Sequence, residues 1–293
     1  MLSYQHEYHA GNAADVFKHA CLCFLLESLC KKEKPFTLID THASCARFSY
    51  DDERIKKTGE AAEGIEKVLS FFDRISDSEK NSLPESLNSY IIKEARYRKQ
   101  NIYAGSAELE RLHLRKGDVL HLTEKHPAAF SSLEKNAREE LLCENGSIPS
   151  PGKTVLHNDD AWKTLLSLTP PLVKRGMIFC DPSFEDKGDY TDAAGFLSRA
   201  HKKWNTAVIV LWYPLLSHRK DEKASMLSRL EYAAKTGNPP CECFYTELTT
   251  KNESDIQEGE SRLYGSGLFV MNPPWKSQET FESIKASLEK ILA

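Results

Sequence analysis

The sequence predicts an α/β fold built on one mostly parallel, seven-stranded sheet. Five short apolar runs, at 36–40, 118–124, 153–159, 175–181 and 207–214, alternate with helix-compatible segments, which is the pattern of parallel strands joined by crossover helices. The first four runs end in acids: Asp40, Glu124, Asp159 with Asp160, and Asp181. Parallel strands would gather these carboxylates along one sheet edge, where α/β folds place their ligands. Two further runs, 241–249 and 265–272, are joined by the polar stretch KNESDIQEGESRLY, which has no apolar helical period. They predict an antiparallel hairpin at a sheet edge.

Taken in order, residues 12–30 predict an amphipathic helix. Phe17, Cys21, Phe24, Leu25 and Leu29 recur at three- and four-residue spacings, with Asn12 as N-cap, and Lys18 and His19 lie beside this stripe. Phe36–Asp40 follows Lys34-Pro35 as the first buried strand. About eighty residues separate Asp40 from Asp118, more than one crossover helix needs. A helical insertion is therefore expected at 50–103, with helices near 59–72 and 87–97, inside a single domain spanning 1–293. The crossover helix is expected after Tyr103-Ala104-Gly105-Ser106, with Ser106 as N-cap and Leu109, Leu112 and His113 facing inward. Asn272-Pro273-Pro274-Trp275 reads as structural, the prolines stopping the edge strand and Trp275 packing.

Composition narrows the function classes. The 293 residues are 40% hydrophobic and 28% charged, with no apolar run long enough for a bilayer and no basic-then-apolar leader pattern, so a cytoplasmic protein with no membrane partner is expected. The eight cysteines form two C-x-C pairs and no C-x-x-C, so zinc-ribbon spacing is absent and reduced, mostly packed thiols are expected. His6, His9, Asp15 and His19 are spaced by 3, 6 and 4 residues, which matches no known ligand pattern; no metal is expected. A net charge of −4 gives no global attraction to nucleic acid. Any such contact must come from local groups: Arg96, Tyr97, Arg98 and Lys99, with Lys56, Lys57, Arg111, Arg115 and Lys116 in neighbouring segments.

The segment that points most directly to chemistry is Asp181-Pro182-Ser183-Phe184, immediately after the fourth strand run. It resembles the Asp-Pro-Pro-Tyr motif of adenine amino-methyltransferases. There an acid and a proline carbonyl accept the two hydrogens of the exocyclic amine, and an aromatic ring stacks on the base, an interaction worth roughly 1–3 kcal/mol. Asp181, Pro182 and Phe184 fit those catalytic roles, while Ser183 replaces the second proline. Five parallel-type strands followed by a hairpin are also the signature of the Rossmann-like class I methyltransferase sheet, an analogy at the level of fold. In that frame Glu124 has the position of a ribose-binding acid, and Asp159 and Asp160 face the adenine end of the cofactor. Asp40 and Asp181 flank its amino-acid and methyl end.

Further marks run along the chain: Met1-Leu2-Ser3-Tyr4, His9-Ala10-Gly11-Asn12, Asp15-Val16-Phe17-Lys18-His19, Asp40-Thr41-His42-Ala43, and Arg54 with Thr58-Gly59-Glu60. Gly105-Ser106, Thr123-Glu124 with His126-Pro127, Leu211-Trp212-Tyr213-Pro214 and Asn272-Pro273-Pro274-Trp275-Lys276 continue the set. Together they resemble the RlmJ-type 23S rRNA (adenine-N6)-methyltransferase family, also labelled in older usage for the use of external DNA. The resemblance implies S-adenosyl-L-methionine as cofactor, contacted by His19, His42, Ser106, Glu124, Asp159, Asp160 and Asp181 with Lys18 nearby. It also implies that Asp181 meets the target amine and Tyr4 the RNA. The expected activity is methylation of the N6 amine of an adenine in protein-free or partly unfolded 23S rRNA by a monomer, on a flipped or single-stranded base. One departure besides Ser183 is Ser44-Cys45-Ala46 in place of the family's Gly-Ala-Gly; a non-glycine residue in a left-handed conformation costs roughly 1–2 kcal/mol. The alternative reading is a nucleic-acid-binding relative that keeps the fold without catalysis.

Overall fold

The computed structural model describes residues 6–252 and 263–293. Its sheet is built from β1 (Thr37–Asp40), β2 (Val119–Thr123), β3 (Lys153–His157), β4 (Gly176–Cys180), β5 (Val208–Leu216), β6 (Cys243–Thr249) and β7 (Leu263–Met271). The spatial order is β6-β7-β5-β4-β1-β2-β3. The pairs β3–β2, β2–β1, β1–β4 and β4–β5 are parallel, and β7 runs antiparallel to both β5 and β6. This is the class I methyltransferase sheet. The hairpin does lie at the edge, but β6 is the edge strand and β7 is inserted between it and β5.

Burial follows the alternation of side chains across a strand. Leu38, Met177 and Phe179 enter one core with Phe17, Leu22 and Phe281, while Ile39, Ile178 and Cys180 enter the opposite one with Leu197, Trp204 and Leu230. The central strands β1 and β4 are buried at every position, as strands covered on both faces must be. In β6 burial alternates at Phe244, Thr246 and Leu248, because one face is covered and the other meets solvent.

The first core is roofed by α1 (Ala13–Cys30), whose N-cap Asn12 accepts from the Asp15 amide at 2.9 Å. Between β1 and the crossover helix, an antiparallel ribbon pairs Arg47–Ser49 with Ile102–Ala104. The residues between its strands hold short helices at Glu53–Thr58, Glu60–Glu63 and Asp77–Ser82, and the longer α2 (Ile65–Arg74) and α3 (Glu85–Arg98). The helix expected over 59–72 is broken at Gly64, where a Cβ would lie 2.1 Å from the Gly11 carbonyl oxygen. Then follow α4 (Ser106–Leu112), α5 (Pro127–Asn136), α6 (Ala161–Leu168), α7 (Lys187–Lys203), α8 (Lys220–Thr236) and α9 (Ser277–Leu292).

Several expectations are corrected here. Ser106 is not the N-cap of α4: Gly105 holds that place and Ser106 begins the helix, which turns its hydroxyl toward β1. Trp275 does not pack, being 86% exposed. Among the basic residues offered for RNA, Arg111 is buried and paired with Glu108 at 2.6 Å. Tyr97 is buried and donates to the same Glu108 at 2.5 Å. Arg98 and Arg115 pair with Glu66 and Asp118. Lys56, Lys57, Lys99 and Lys116 remain exposed.

Candidate active site

The order of the sheet reverses at β1: the chain moves outward to β2 and β3, then returns to β4 on the other side. The loops after β1 and β4 therefore part and leave a crevice beyond the strand ends. A pocket of about 280 Å³ occupies it, lined by Lys18, His19, His42, Ser106, Glu124, Asp160, Asp181, Pro182 and Ser183, among others.

Lys18 is brought to its floor by the buried side of α1. Its ammonium lies 2.7 Å from Asp15 Oδ1 and 2.5 Å from Asp181 Oδ2, with only 3% of its side chain exposed. Burial works against this charge, but the carboxylates of Asp15 and Asp181 outweigh it and hold the ammonium above its ordinary range. Asp15 also accepts from the Gly11 amide and from His6. Burial would raise its carboxyl, yet Lys18 and then His6 keep it well below the usual range. Asp181 is thus fixed by a buried cation at the end of β4.

His19, one residue on, pairs through Nδ1 with the Tyr103 hydroxyl at 2.7 Å. Burial and then the Lys18 charge push it down to about 3, so it is neutral. His42 is pushed down to about 4 by burial; its ring stands edge-on to Trp162 with centroids 5.4 Å apart. Asp40 is fully buried. Its Oδ1 accepts from the His42 amide at 2.9 Å and its Oδ2 from the Ser106 hydroxyl at 3.1 Å. Burial pushes its carboxyl up to about 7, the His42 amide opposing and the Asp181 charge reinforcing.

Glu124 accepts from the Ser44 amide at 3.0 Å and the His126 amide at 2.6 Å, and burial raises its carboxyl. The loop after β1 keeps a left-handed course without glycine, Ser44 at φ 50° and Ala46 at φ 63°. Asp160 caps α6, accepting from the Trp162 and Lys163 amides, and pairs with Lys125 at 3.1 Å.

Not every predicted residue reaches the pocket. Asp159 lies outside it, half-exposed, accepting from the Asp160 amide and pairing with Lys163 at 3.3 Å. Phe184 turns inward at φ 51° and is 3% exposed, its ring 4.6 Å from Tyr190 and 6.3 Å from Trp212. Tyr4 falls outside the described residues. The histidines once weighed as a metal set face different partners: His6 meets Asp15, His9 meets Glu60 and His19 meets Tyr103. The sequence reading passed over Trp162, Lys125 and Glu110. The first two adjoin acids already singled out, which was the available signal. Glu110 could have been found from its four-residue spacing to Ser106 on one helix face.

The family model for ribosomal RNA large subunit methyltransferase D, RlmJ, matches residues 33–293. The chain belongs to this family. It is 31% identical over 287 residues to ribosomal RNA large subunit methyltransferase J of Escherichia coli strain K12, covering 97% of this chain and 91% of that protein. It is also 31% identical over 300 residues to the protein of the same name from Haemophilus influenzae, covering 100% and 94%. The solved structure of protein LPL1258 from Legionella pneumophila superposes with a TM-score of 0.79 at 27% identity, over 97% of this chain and 94% of that one.

An RlmJ-family methyltransferase of this fold uses S-adenosylmethionine, and the pocket suits it. Three of its acids, Asp40, Glu124 and Asp160, follow the successive strands β1, β2 and β3, complementary to a cationic donor with a ribose and a purine. The Thr123 hydroxyl lines the same pocket beside Glu124, buried and with no partner among the described residues. A buried hydroxyl left in that state favours a polar ligand.

Proposed function

We propose that this chain transfers a methyl group from S-adenosylmethionine to the exocyclic N6 amine of an adenine in 23S rRNA, acting as a monomer in the cytoplasm on protein-free or partly unfolded RNA. The observation that carries this is the Lys18–Asp181 pair at 2.5 Å, which fixes an acceptor beside Pro182 in the pocket that also holds Glu124 and Asp160. When bound, the cofactor supplies an electrophilic methyl on a sulfonium. Asp181 accepts one hydrogen of the target amine and the Pro182 carbonyl the other, which directs the nitrogen lone pair into line with that methyl.

Glu124 would hold the ribose hydroxyls, Asp160 and Trp162 the purine end, and His19, His42, Asp40 and Ser106 the amino-acid end. The neutral histidines bring no positive charge against the sulfonium. Asp159 takes a cofactor role only if it leaves Lys163, and Phe184 stacks on a base only if its loop turns outward; Tyr4 is proposed to meet the RNA. The stretch 50–103 is proposed as a helical insertion subdomain within one 1–293 domain. No helix among the described residues is long and apolar enough to cross a membrane.

The test is methyl transfer from labelled S-adenosylmethionine to protein-free, unmodified 23S rRNA, with Asp181→Ala as control. Incorporation at an adenine that disappears in the variant is the expected result. Cofactor binding without incorporation rules out this substrate, and no binding by folded protein favours the non-catalytic reading.

A further inference from the structure

Beneath Asp40 lies a second acid that the chemistry above does not use. Glu110 projects from α4 one turn after Ser106, is completely buried, and has no N–H or O–H donor at either carboxyl oxygen among the described residues. The polar group it meets is the Asp40 carboxyl. Two buried carboxyl groups in contact, with no cation between them, do not both ionise. Asp40 has the donors, the His42 amide and the Ser106 hydroxyl, so the proton rests on Glu110. The charged and titratable groups facing the pair are Lys18 from α1 and Asp181 from the end of β4. The His42 ring, after β1, is turned to Thr41.

We propose that Glu110 is a positioning residue acting through Asp40: as a protonated acid it donates a hydrogen bond that keeps Asp40 anionic toward the cationic methyl donor. The proposal rests on reading the pocket as the S-adenosylmethionine site. It makes cofactor affinity depend on pH near neutrality. With Asp40 titrating at about 7, the binding-competent fraction rises about tenfold from pH 6 to pH 8.

The experiment is calorimetric titration of S-adenosylmethionine into wild type, Glu110→Gln and Glu110→Leu from pH 6 to 8.5. Glutamine keeps a donor toward Asp40, so its profile should overlay the wild type. Leucine fills the space without a donor and should move the midpoint up by about one unit, the size of one lost hydrogen bond to a charged group. Affinity at pH 7 then falls about fivefold. A downward shift in Glu110→Gln would mean that Glu110 is ionised in the wild type, and overturns the proposal; so does an unmoved midpoint in folded Glu110→Leu. If leucine prevents folding, the glutamine profile decides. The same midpoint is read without cofactor, as the pH at which the unfolding free energy of the apoprotein stops falling. A wild type that binds no S-adenosylmethionine at any pH therefore defeats the site reading while this second readout still tests Glu110.

Discussion

At the scale of single residues, the site depends on charges held where solvent cannot stabilise them. Lys18 is the common cation of Asp15 and Asp181. Removing one partner of a buried ion pair costs about 3–5 kcal/mol, so Lys18→Met should destabilise the apoprotein by that order in urea unfolding. A loss below about 1 kcal/mol would show that the pairs behave like exposed ones. Acid sensitivity has two contributions of opposite sign. His19 and His42 titrate near 3 and 4 in the fold against 6.5 unfolded. Their contribution is complete above pH 6.5 and is lost as pH falls through that window. Asp40, raised from 3.8 to about 7, contributes stability that is present below pH 3.8 and lost as pH rises toward 7. Unfolding free energies measured from pH 4 to 7 should therefore change slope in opposite directions, His19→Gln flattening the acid-side loss and Asp40→Asn flattening the loss toward neutrality.

At the scale of elements, glycine and its absence decide how segments turn. The loop after β1 keeps Ser44 at φ 50° without glycine, at a cost of about 1–2 kcal/mol. Ser44→Gly should raise the melting temperature by about 2–4 °C with little change in cofactor affinity, because Glu124 binds the backbone amide of Ser44 rather than its side chain. Unchanged melting would show that the loop carries no such strain. Gly64 is the opposite case: its missing Cβ lets α2 dock on the Gly11 carbonyl. Gly64→Ala should cost about 1–3 kcal/mol by overpacking, read as an earlier unfolding transition. Elements were legible where one signal dominated, as in Asn12 and the apolar stripe of α1. The break at Gly64 was not, because it answers to a contact with residues some fifty positions earlier.

At the scale of the whole molecule, the sheet's reversal at β1 collects acids from distant segments into one pocket. A cofactor that binds only the folded chain should stabilise it by about 2.7 kcal/mol at a hundred times its Kd, and differential scanning calorimetry with and without S-adenosylmethionine checks this. The absence of any shift at saturating concentration would contradict the cofactor assignment.

The sequence by itself determined the strands, their order of appearance and the acids at their ends, because apolar runs and terminal carboxylates are local features that parallel topology then aligns. It also carried the motifs that resemble the family to which the chain belongs. Only tertiary structure decided where side chains point. Phe184 was readable as a stacking group, but its left-handed backbone turns the ring into the Tyr190 and Trp212 cluster. Tyr97 and Arg111 read as solvent-facing RNA contacts until packing placed them on the buried Glu108. The juxtaposition of Lys18 with Asp181, 163 residues apart, and of Glu110 with Asp40 exists only after folding, because local periodicity carries no information about which distant charge will share a desolvated site.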